Sequence, residues 1–374
     1  MTNHTSMNVA SVRLRPDSSP LHEPDERHPQ EREPRPVGLR PQLLYERYGI
    51  LENPFGVTPN PRYLYQSKTH AEARSSLIIG IECGLGFQAL IAPPGMGKTT
   101  LLFSVLDLFK DVARTAFLFQ IHGDSRDLLR YLALELGGEV DGSDVVRTQD
   151  TINQLLRRER RAGRRTLIII DEAQSLDASV LETIRLLSNF ESPTEKLAHI
   201  ILAGQPQLAQ RLADPGLAQL FQRISIRSTL TPFGLEDTNN YIEHRLNVAG
   251  YRGPTLFMPE AVKFIWEHGR GIPREINTLC FNALLLATAV EQKQVNSDIL
   301  REVASDLCWD HNRVPTNTAV HGVQASRIAD ELRYARAEVL TALASITEIC
   351  ESLSRPPKQH SRATSLSGMP YQTE

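Results

Sequence analysis

The stretch Ala92–Thr100, APPGMGKTT, directly follows the apolar run Phe87–Ile91 and precedes a second apolar run. A strand, a glycine-containing loop and a helix in this order form the context in which a P-loop binds phosphate. Gly95 and Gly97 allow backbone N–H groups to surround phosphate oxygens, and the N-terminus of the next helix adds positive potential. The match to GxxxxGK[ST] departs at Ala92, where a glycine is expected. We predict a phosphate-binding loop rather than a turn that only joins strand to helix.

Two side chains at the end of this loop carry the predicted chemistry. Lys98 is expected to reach the β- and γ-phosphates of a nucleotide, and the Thr99 hydroxyl is expected to bind Mg²⁺. We therefore predict ATP and Mg²⁺ as ligands. The residues predicted to contact the nucleotide are Pro94, Gly95, Met96, Gly97, Lys98, Thr99 and Thr100.

Another apolar run, Leu167–Ile170, ends in the acidic residues Asp171 and Glu172. A buried strand delivers carboxylates to its C-terminal end, where open α/β sheets bind ligands. We predict that Asp171 holds Mg²⁺ through water and that Glu172 is the general base for the attacking water. An edge strand that happens to end in acids is the alternative, which the P-loop disfavours.

A further apolar run, His199–Ala203, is followed by Gly204 and Gln205. A polar residue at the tip of this strand would lie between the two preceding motifs. It could then donate a hydrogen bond to the γ-phosphate or to the attacking water. Gln205 is therefore a candidate sensor, and a turn amide with ordinary partners is the alternative.

Two arginines, Arg223 and Arg227, lie in the segment LAQLFQRISIR, which we predict to be near a subunit edge. The guanidinium cannot lose its charge, and its planar fork pairs with phosphate through two hydrogen bonds. Either arginine would complete the site of a neighbouring subunit, or one of them would form a structural salt bridge. The sequence does not choose between them.

The composition is that of an ordinary globular protein. The 374 residues are 41% hydrophobic with a net charge of −3, so nucleic-acid binding would require a local basic patch. No apolar run approaches the roughly 20 residues that span a bilayer, and the first residues lack the apolar core of a secretory signal. The four cysteines form no CxxC pair, which is typical of free thiols in a reducing compartment. We expect a cytoplasmic protein without membrane insertion.

The most basic segment is RRERRAGRR, Arg157–Arg165, which has six arginines in nine residues. It ends a helix that we predict at Asp150–Arg161. These arginines would contact the phosphates of a nucleic acid or a neighbouring subunit. The more common role of such a run is a solvated helix end.

An aromatic segment, Tyr48–His70, precedes the P-loop. Its prolines, glycines and asparagines indicate irregular structure held by aromatic anchors. Phe55, Tyr63 and Tyr65 would either pack near an adenine ring or cover the edge of the sheet, and the sequence favours neither.

The pattern becomes entirely helical after Leu235. We predict an α/β domain with a parallel central sheet at residues 45–232 and a small all-helical lid at residues 233–308. Arg274 lies in the first turn of a lid helix, after Gly271 and Pro273, and could reach back to the phosphates as a second sensor. The predicted lid helices are Leu235–Ala249, Pro259–Gly269, Ile272–Glu291 and Asn296–Leu307.

The flanking segments differ from this body. Residues 1–44, with six prolines in the first 40, bury too little apolar surface to order and are predicted to be a disordered arm. After a linker at 309–323, apolar residues recur every three or four positions from Ile328 to Leu353, which predicts a helix at 324–353. That helix would form a coiled coil, recruit a partner protein or pack against the lid. Residues 354–374 are predicted to be disordered.

Seven segments in this order resemble the AAA+ ATPases of the ExeA/GspA (general secretion pathway protein A) type. The wider group includes the transposition regulators of the TniB, TnsC and MuB kind. The resemblance covers residues 45–308. The segments are YGILENPFGVTPNPRYLY, APPGMGKTT, RAGRRTLIIIDEAQSL, IRLLSNFES, ILAGQPQL, LFQRISIR and GIPREIN.

The resemblance implies an AAA+ fold, a P-loop domain with a helical lid, that acts at subunit interfaces of a homo-oligomer, either a ring or a filament. It implies Lys98 and Thr99 as Walker A, Asp171 and Glu172 as Walker B, Gln205 as sensor 1, Arg274 as sensor 2, and Arg223 as the better matched arginine finger. Proteins of the ExeA type usually continue into a membrane-spanning helix and a peptidoglycan-binding domain. We identify neither in this sequence and therefore do not expect direct cell-wall work.

Three functions remain open at this point. The first is an oligomerising ATPase that uses binding and slow hydrolysis to switch a partner complex. The second is an assembly of the transposition-regulator type that binds duplex DNA. The third is a scaffold that binds nucleotide without hydrolysing it, which the presence of Glu172, Gln205 and Arg274 disfavours.

Overall fold

The computed structural model describes residues 41–119, 121, 123–139 and 144–307. The predictions for residues 1–40, for the linker, for the helix at 324–353 and for the tail lie outside the described residues. A helix begins at Pro41, within the predicted arm.

Five strands of the described chain form one parallel sheet, in the order β2-β3-β4-β1-β5. The strands predicted from the runs Phe87–Ile91, Leu167–Ile170 and His199–Ala203 are confirmed, as is a strand that the apolar stretch Arg114–Ile121 predicts. The edge strand β5 was not predicted. The strands are β1 (Phe87–Ile91), β2 (Ala113–Phe119), β3 (Arg165–Asp171), β4 (His199–Gly204) and β5 (Ile226–Thr229).

Alternating residues of the central strands pack on opposite faces of the sheet, because successive side chains of a strand point to opposite sides. Ile168 and Ile170 pack in the apolar cluster on one face, whereas Leu167 and Ile169 pack in the cluster on the other. Burial on both faces explains why a parallel strand reads as a continuous apolar run. Each such side chain contributes ~1.5–3 kcal/mol when fully buried.

Helices cover both faces of the sheet and then continue as a helical unit. The sequence predicts helices at Ala71–Gly80 and Ser125–Leu136, which correspond to α2 and α4, and a helix after the P-loop, which is α3. The predicted ends of α2, α4, α5 and α9 to α12 differ from the observed ends by at most five residues, and α6 to α8 were not predicted. The helices are α1 (Pro41–Tyr48), α2 (Lys68–Glu82), α3 (Lys98–Phe109), α4 (Ser125–Glu135), α5 (Val145–Arg161), α6 (Ala178–Leu187), α7 (Pro206–Leu212), α8 (Ala218–Arg223), α9 (Leu235–Val248), α10 (Pro259–Gly269), α11 (Pro273–Ala289) and α12 (Ser297–Asp306).

A separate apolar cluster holds helices α9 to α12 together. The predicted division at residues 232 and 233 stays a prediction, and the position of this cluster supports it. Ile50, Phe55 and Tyr63 also belong to the cluster, so the aromatic segment packs with the lid helices although it precedes the P-loop in the chain.

The aromatic side chains of this segment pack with the lid, whereas Leu64 packs against the apolar cluster of the P-loop domain. Phe55 packs edge-on against Phe257, with ring centroids 5.8 Å apart. Tyr65 packs edge-on against Phe233 at 5.6 Å and against Tyr241 at 6.1 Å. The segment therefore joins the lid to the P-loop domain.

Candidate nucleotide-binding site

The three predicted motifs meet at one edge of the sheet. Strand β4 pairs with β1 on one side and with β3 on the other. Because all three strands are parallel, their carboxyl ends lie at the same edge, which we name the carboxyl edge. The P-loop follows β1, Asp171 and Glu172 follow β3, and Gln205 follows β4 between them, as the sequence predicts.

The P-loop has the backbone that phosphate binding requires. Gly95 and Gly97 adopt φ values of +78° and +83°, which residues with a Cβ rarely adopt. A Cβ added at Gly97 would meet no atom within 4 Å, so the space beside this residue is open. Ala92, the departure from the motif, is fully buried, and its carbonyl accepts a hydrogen bond from Lys98 Nζ at 3.3 Å. The core thus accommodates an alanine here.

Lys98 is buried at the start of α3, with 5% of its surface exposed. Burial, aided by the charge of Arg274, lowers the pKa of Lys98 against the opposing effect of the Glu172 and Asp171 carboxylates. Its only hydrogen bond in the described chain is the one to the Ala92 carbonyl. An anion in the loop would therefore find an ammonium group without an ion-pair partner.

Thr99 and Asp171 lie side by side, since Thr99 Oγ1 donates to Asp171 Oδ2 at 2.6 Å. Both offer oxygen atoms, which are the ligands that Mg²⁺ prefers. No group of three His, Cys, Asp or Glu side chains in the described residues could hold a metal. The pair fits a magnesium ion that takes its remaining ligands from phosphate and water.

Glu172 is held by two amides. Gln174 Nε2 donates to Glu172 Oε2 at 2.6 Å, and Gln205 Nε2 donates to the same oxygen at 3.2 Å. Burial raises the pKa of Glu172, but these bonds and the charges of Lys98 and Arg274 outweigh it, so that the pKa is lowered overall. Glu172 also has a φ of +55°, which turns the chain sharply after the strand.

The lid closes onto the P-loop at the start of α11. The backbone N–H of Arg274 donates to the Gly95 carbonyl at 3.2 Å. A Cβ on Gly95 would come within 2.9 Å of Arg274 Cβ and 3.0 Å of Ile272 Cγ2, so only glycine allows this approach. The guanidinium of Arg274 lines the cleft and has no hydrogen bond or ion pair within the described residues.

One cleft connects these groups with the lid and with the aromatic segment. It is lined on one side by residues 56–60 and Tyr63, and on the other by the P-loop, Glu172 and residues of α9 and α11. Its lid side consists of Tyr241, Arg245, Pro273, Arg274 and Asn277. Residues of the aromatic segment therefore line the cleft, and their contact with an adenine ring stays a prediction.

Two predicted nucleotide contacts stand apart from this cleft. Pro94 is exposed, and the Met96 side chain is fully buried in the core; neither lines the cleft. The carbonyl of Met96 accepts a hydrogen bond from His70 Nε2 at 2.9 Å. The buried side chain of Met96 therefore attaches the P-loop to the apolar core.

The two candidate finger arginines lie away from the P-loop of their own chain. Arg223 ends α8 and lines a groove with Leu85 and Phe87, at the amino end of β1, where its Nη1 donates to Ser188 Oγ at 3.0 Å. Arg227 lies on β5 with its guanidinium 4.3 Å from the centre of the Phe221 ring. Arg223 therefore lies at the opposite edge of the sheet from its own P-loop, the edge that we name the amino edge.

The arginine run at residues 157–165 is largely paired within the chain. Arg164 forms an ion pair of 2.6 Å with Glu159, and Arg158 lies 3.5 Å from the same carboxylate. Arg160 pairs with Glu195. These contacts support the solvated helix end rather than a surface for nucleic acid, which stays a prediction.

Sequence reasoning missed several residues in or next to the cleft. Gln174 lies two residues after Glu172, in the same loop, and its polar side chain was the available signal. Asn277 follows Arg274 by three residues in GIPREIN, so helical spacing places it further along the same helix. Tyr241 and Arg245 gave no signal, because buried polar partners depend on tertiary packing.

Comparison with known proteins agrees with the fold. Residues 84–212 match the family model of an AAA domain. The ORC2 protein of Aeropyrum pernix, solved in ADPNP–ADP complexes, superposes with a TM-score of 0.55 at 17% identity, over 68% of this chain and 71% of that chain. Cdc6p from Pyrobaculum aerophilum gives a TM-score of 0.56 at 16% identity, over 69% and 71%. At this identity the likeness shows the fold alone. The chain therefore has an AAA+ domain of the P-loop class.

The particular resemblance predicted from the motifs is also confirmed. The chain is 38% identical over 254 residues to general secretion pathway protein A of Aeromonas hydrophila. That alignment covers 67% of this chain and 46% of the relative, so the chain spans about half the length of the relative that it matches. In the described part of the chain, no helix has the length and apolar character needed to cross a membrane.

Proposed function

We propose that the protein binds ATP with Mg²⁺ in this cleft and hydrolyses it, and that it acts as an oligomerising switch for a partner complex. One observation carries the proposal: the P-loop, the Thr99–Asp171 pair and the Glu172–Gln205 pair converge at the carboxyl edge. The similarity to general secretion pathway protein A supports it. Because the alignment covers 46% of that relative, we do not assign the relative's pathway to this chain.

The residues of the cleft have distinct roles in this proposal. The P-loop amides and Lys98 hold the phosphates, and Thr99 and Asp171 hold the metal. Bound Mg²⁺ would neutralise charge that develops on the phosphates. Glu172 orients and deprotonates the attacking water, and Gln205 senses the terminal phosphate beside it.

The regulation follows from the position of Arg223. This arginine lies at the amino edge, where it cannot reach the P-loop of its own chain across the length of β1. A neighbouring subunit could present it to that P-loop, so activity would depend on assembly. We propose a homo-oligomer with an arginine finger supplied in trans.

The test is steady-state phosphate release measured against protein concentration, with Lys98→Ala as the control. We expect the specific activity of the wild-type protein to rise with concentration and that of Lys98→Ala to stay at background. Activity equal to that of Lys98→Ala at every concentration would refute hydrolysis and leave the scaffold hypothesis. An arm with duplex DNA tests the second hypothesis, since binding through phosphates should weaken steeply with salt.

A further inference from the structure

Behind the cleft lies a buried hydrogen-bond chain of Arg245, Tyr241 and Asn277, which none of the roles above uses. Arg245 Nη1 donates to the Tyr241 hydroxyl at 2.9 Å, and that hydroxyl donates to Asn277 Oδ1 at 2.9 Å. All three side chains are buried, with exposed fractions of 7%, 4% and 5%. A buried network of this kind fixes the orientation of its members.

The direction of the chain is fixed by the chemistry of its first member. A guanidinium can only donate hydrogen bonds, so the Tyr241 oxygen must accept from Arg245. The single hydroxyl hydrogen of Tyr241 must then point to an acceptor, which is the Asn277 carbonyl oxygen. Burial raises the pKa of Tyr241, so the hydroxyl keeps its hydrogen. The Asn277 amide is therefore fixed with Oδ1 toward the Tyr241 hydroxyl, and Nδ2 points away from Tyr241.

Arg245 is itself held firmly. Its Nε and Nη2 donate to the carbonyls of Pro54 and Gly56, and its guanidinium lies 4.6 Å from the centre of the Tyr63 ring. Within the described residues it has no carboxylate partner. The arginine therefore joins the lid helix α9 to the segment that forms the opposite wall of the cleft.

The Nδ2 atom of Asn277 faces the cleft and has no hydrogen-bond partner among the described residues. Asn277 lines the cleft, and no hydrogen bond in the described part of the chain uses its Nδ2. This atom is also not among the enclosed unpaired polar atoms of the described residues. A side chain that is more than nine-tenths buried thus presents its amide N–H donors to the cleft. A nucleotide that covered them without accepting a hydrogen bond would leave unpaired donors, which are costly.

We propose that Asn277 is a binding residue for the nucleoside part of the nucleotide, to which its amide donates a hydrogen bond. This inference rests on the proposed function. The acceptor is either a ring nitrogen of the base or a ribose oxygen. Arg274 meets the P-loop, and Asn277 lies about 4.5 Å further along α11, on the side of residues 56–60. Arg245 and Tyr241 are positioning residues, since they act through Asn277.

The test compares two probes, ATP and inorganic tripolyphosphate, both with Mg²⁺, by titration calorimetry. Tripolyphosphate retains the phosphates but lacks the nucleoside. We expect Asn277→Ser to weaken ATP binding about three- to tenfold, the effect of one neutral hydrogen bond, and to change tripolyphosphate binding less than about twofold. Asn282→Ser is the matched control, because Asn282 lies on the same helix with its amide bonded to the Thr278 carbonyl; its ATP affinity should not change.

An unchanged ATP affinity in Asn277→Ser, or equal losses for both probes, would overturn the assignment. If the serine variant does not fold, Asn277→Asp carries the same comparison, because it keeps an oxygen for Tyr241 and removes the donor. 2′,3′-Dideoxy-ATP separates the two acceptors: the effect of Asn277→Ser disappears with this probe for a ribose hydroxyl and persists for a base nitrogen or the ribose ring oxygen. Failure of the proposed function would look different, since wild-type protein would then bind neither probe and the inference would fall with it.

Discussion

The carboxyl and amino edges of the sheet both carry clusters of charged side chains, but they differ in how those charges are paired. At the carboxyl edge, Lys98 bonds only a backbone carbonyl, and the guanidinium of Arg274 has no hydrogen bond within the described residues. At the amino edge, Glu159 pairs with Arg164, and the loop between α6 and β4 supplies Glu195 to Arg160.

The difference separates charges that stabilise the fold from charges that are available to a ligand. A charged side chain that is paired within the protein makes its main electrostatic interaction there. Such a pair at the surface adds little to stability, and its members are not available to a ligand. The carboxylates of Asp171 and Glu172 act on Lys98 without forming an ion pair with it, so Lys98 and Arg274 remain available to a bound anion. Arg223, also at the amino edge, has no ion pair within the described residues and bonds the Ser188 hydroxyl; it is the residue that we assign to a neighbouring site.

The largest effect is expected from Arg223→Ala, which would remove the charge offered to the neighbouring subunit. Arginine fingers contribute about 10³–10⁵ in rate, so phosphate release should fall by that order. Arg227→Ala is the matched control and should keep its activity. Mixing Arg223→Ala with Lys98→Ala protein should restore phosphate release, because one variant then supplies the P-loop and the other the arginine.

Two outcomes would contradict this assignment. Failure of the mixed variants to regain activity would show that Arg223 does not act in trans. A loss of rate in Arg227→Ala with full activity in Arg223→Ala would move the finger to the edge strand.

Glu172→Gln at the carboxyl edge and Glu159→Gln at the amino edge test whether a carboxylate serves catalysis or stability. Loss of a general base should lower phosphate release about 10²–10⁴-fold while ATP still binds. Glu159 is 3% exposed and paired, so its replacement should cost ~1–3 kcal/mol of stability and leave the rate unchanged. The measurements are phosphate release, ATP affinity and the free energy of unfolding of each variant. If Glu172→Gln hydrolyses ATP at the wild-type rate, Glu172 is not the base.

His199 is a titratable group of the amino edge, and it should make the stability of the fold depend on pH. Burial, aided by the charge of Arg165, lowers the pKa of His199 to about 4, and its Nδ1 has no partner. Between pH 6.5 and 4 the unfolded chain then binds more protons than the folded chain, so this group reduces stability as pH falls. Its full effect, reached below pH 4, is ~3 kcal/mol.

The check is urea unfolding of wild-type protein and His199→Leu from pH 7.5 to pH 4. Carboxylates destabilise both proteins alike in acid, so the difference between them isolates His199. We expect the wild-type protein to lose more stability on acidification than the variant. A difference that stays constant across this range would refute the neutral, buried histidine.

The sequence was sufficient for the parts of the site that depend on short-range order. A P-loop and a strand that ends in acids are continuous segments, so Lys98, Thr99, Asp171 and Glu172 could be predicted, and strand order then places Gln205 between them. The chain departs from the motif at Ala92 without effect on the loop, because the core accepts a methyl group there.

The remaining parts of the site depend on contacts between distant segments. The Arg245–Tyr241–Asn277 chain joins α9 to α11 and to residues 54–56, and no local pattern records such a contact. The role of the aromatic segment was left open for the same reason, since Phe233 lies 168 residues after its partner Tyr65, and Phe257 lies 202 residues after its partner Phe55. Strand β5 and helices α6 to α8 are short, and short elements give weak periodic signals.

The smallest effect is expected from Gln174→Ala, which tests how the carboxyl edge holds its base. Gln174 donates to Glu172, and this bond is one of the causes that lower the pKa of Glu172. Without it the carboxylate should take up a proton more readily, so the acidic limb of the pH–rate profile should move to higher pH. At alkaline pH, where Glu172 is ionised in both proteins, the rate should differ by less than about tenfold, the range of one hydrogen bond. Gln210→Ala, a change on the exposed face of α7, should leave the profile where it is. An acidic limb that stays in place in Gln174→Ala would mean that Gln205, Lys98 and Arg274 set the pKa of the base without Gln174.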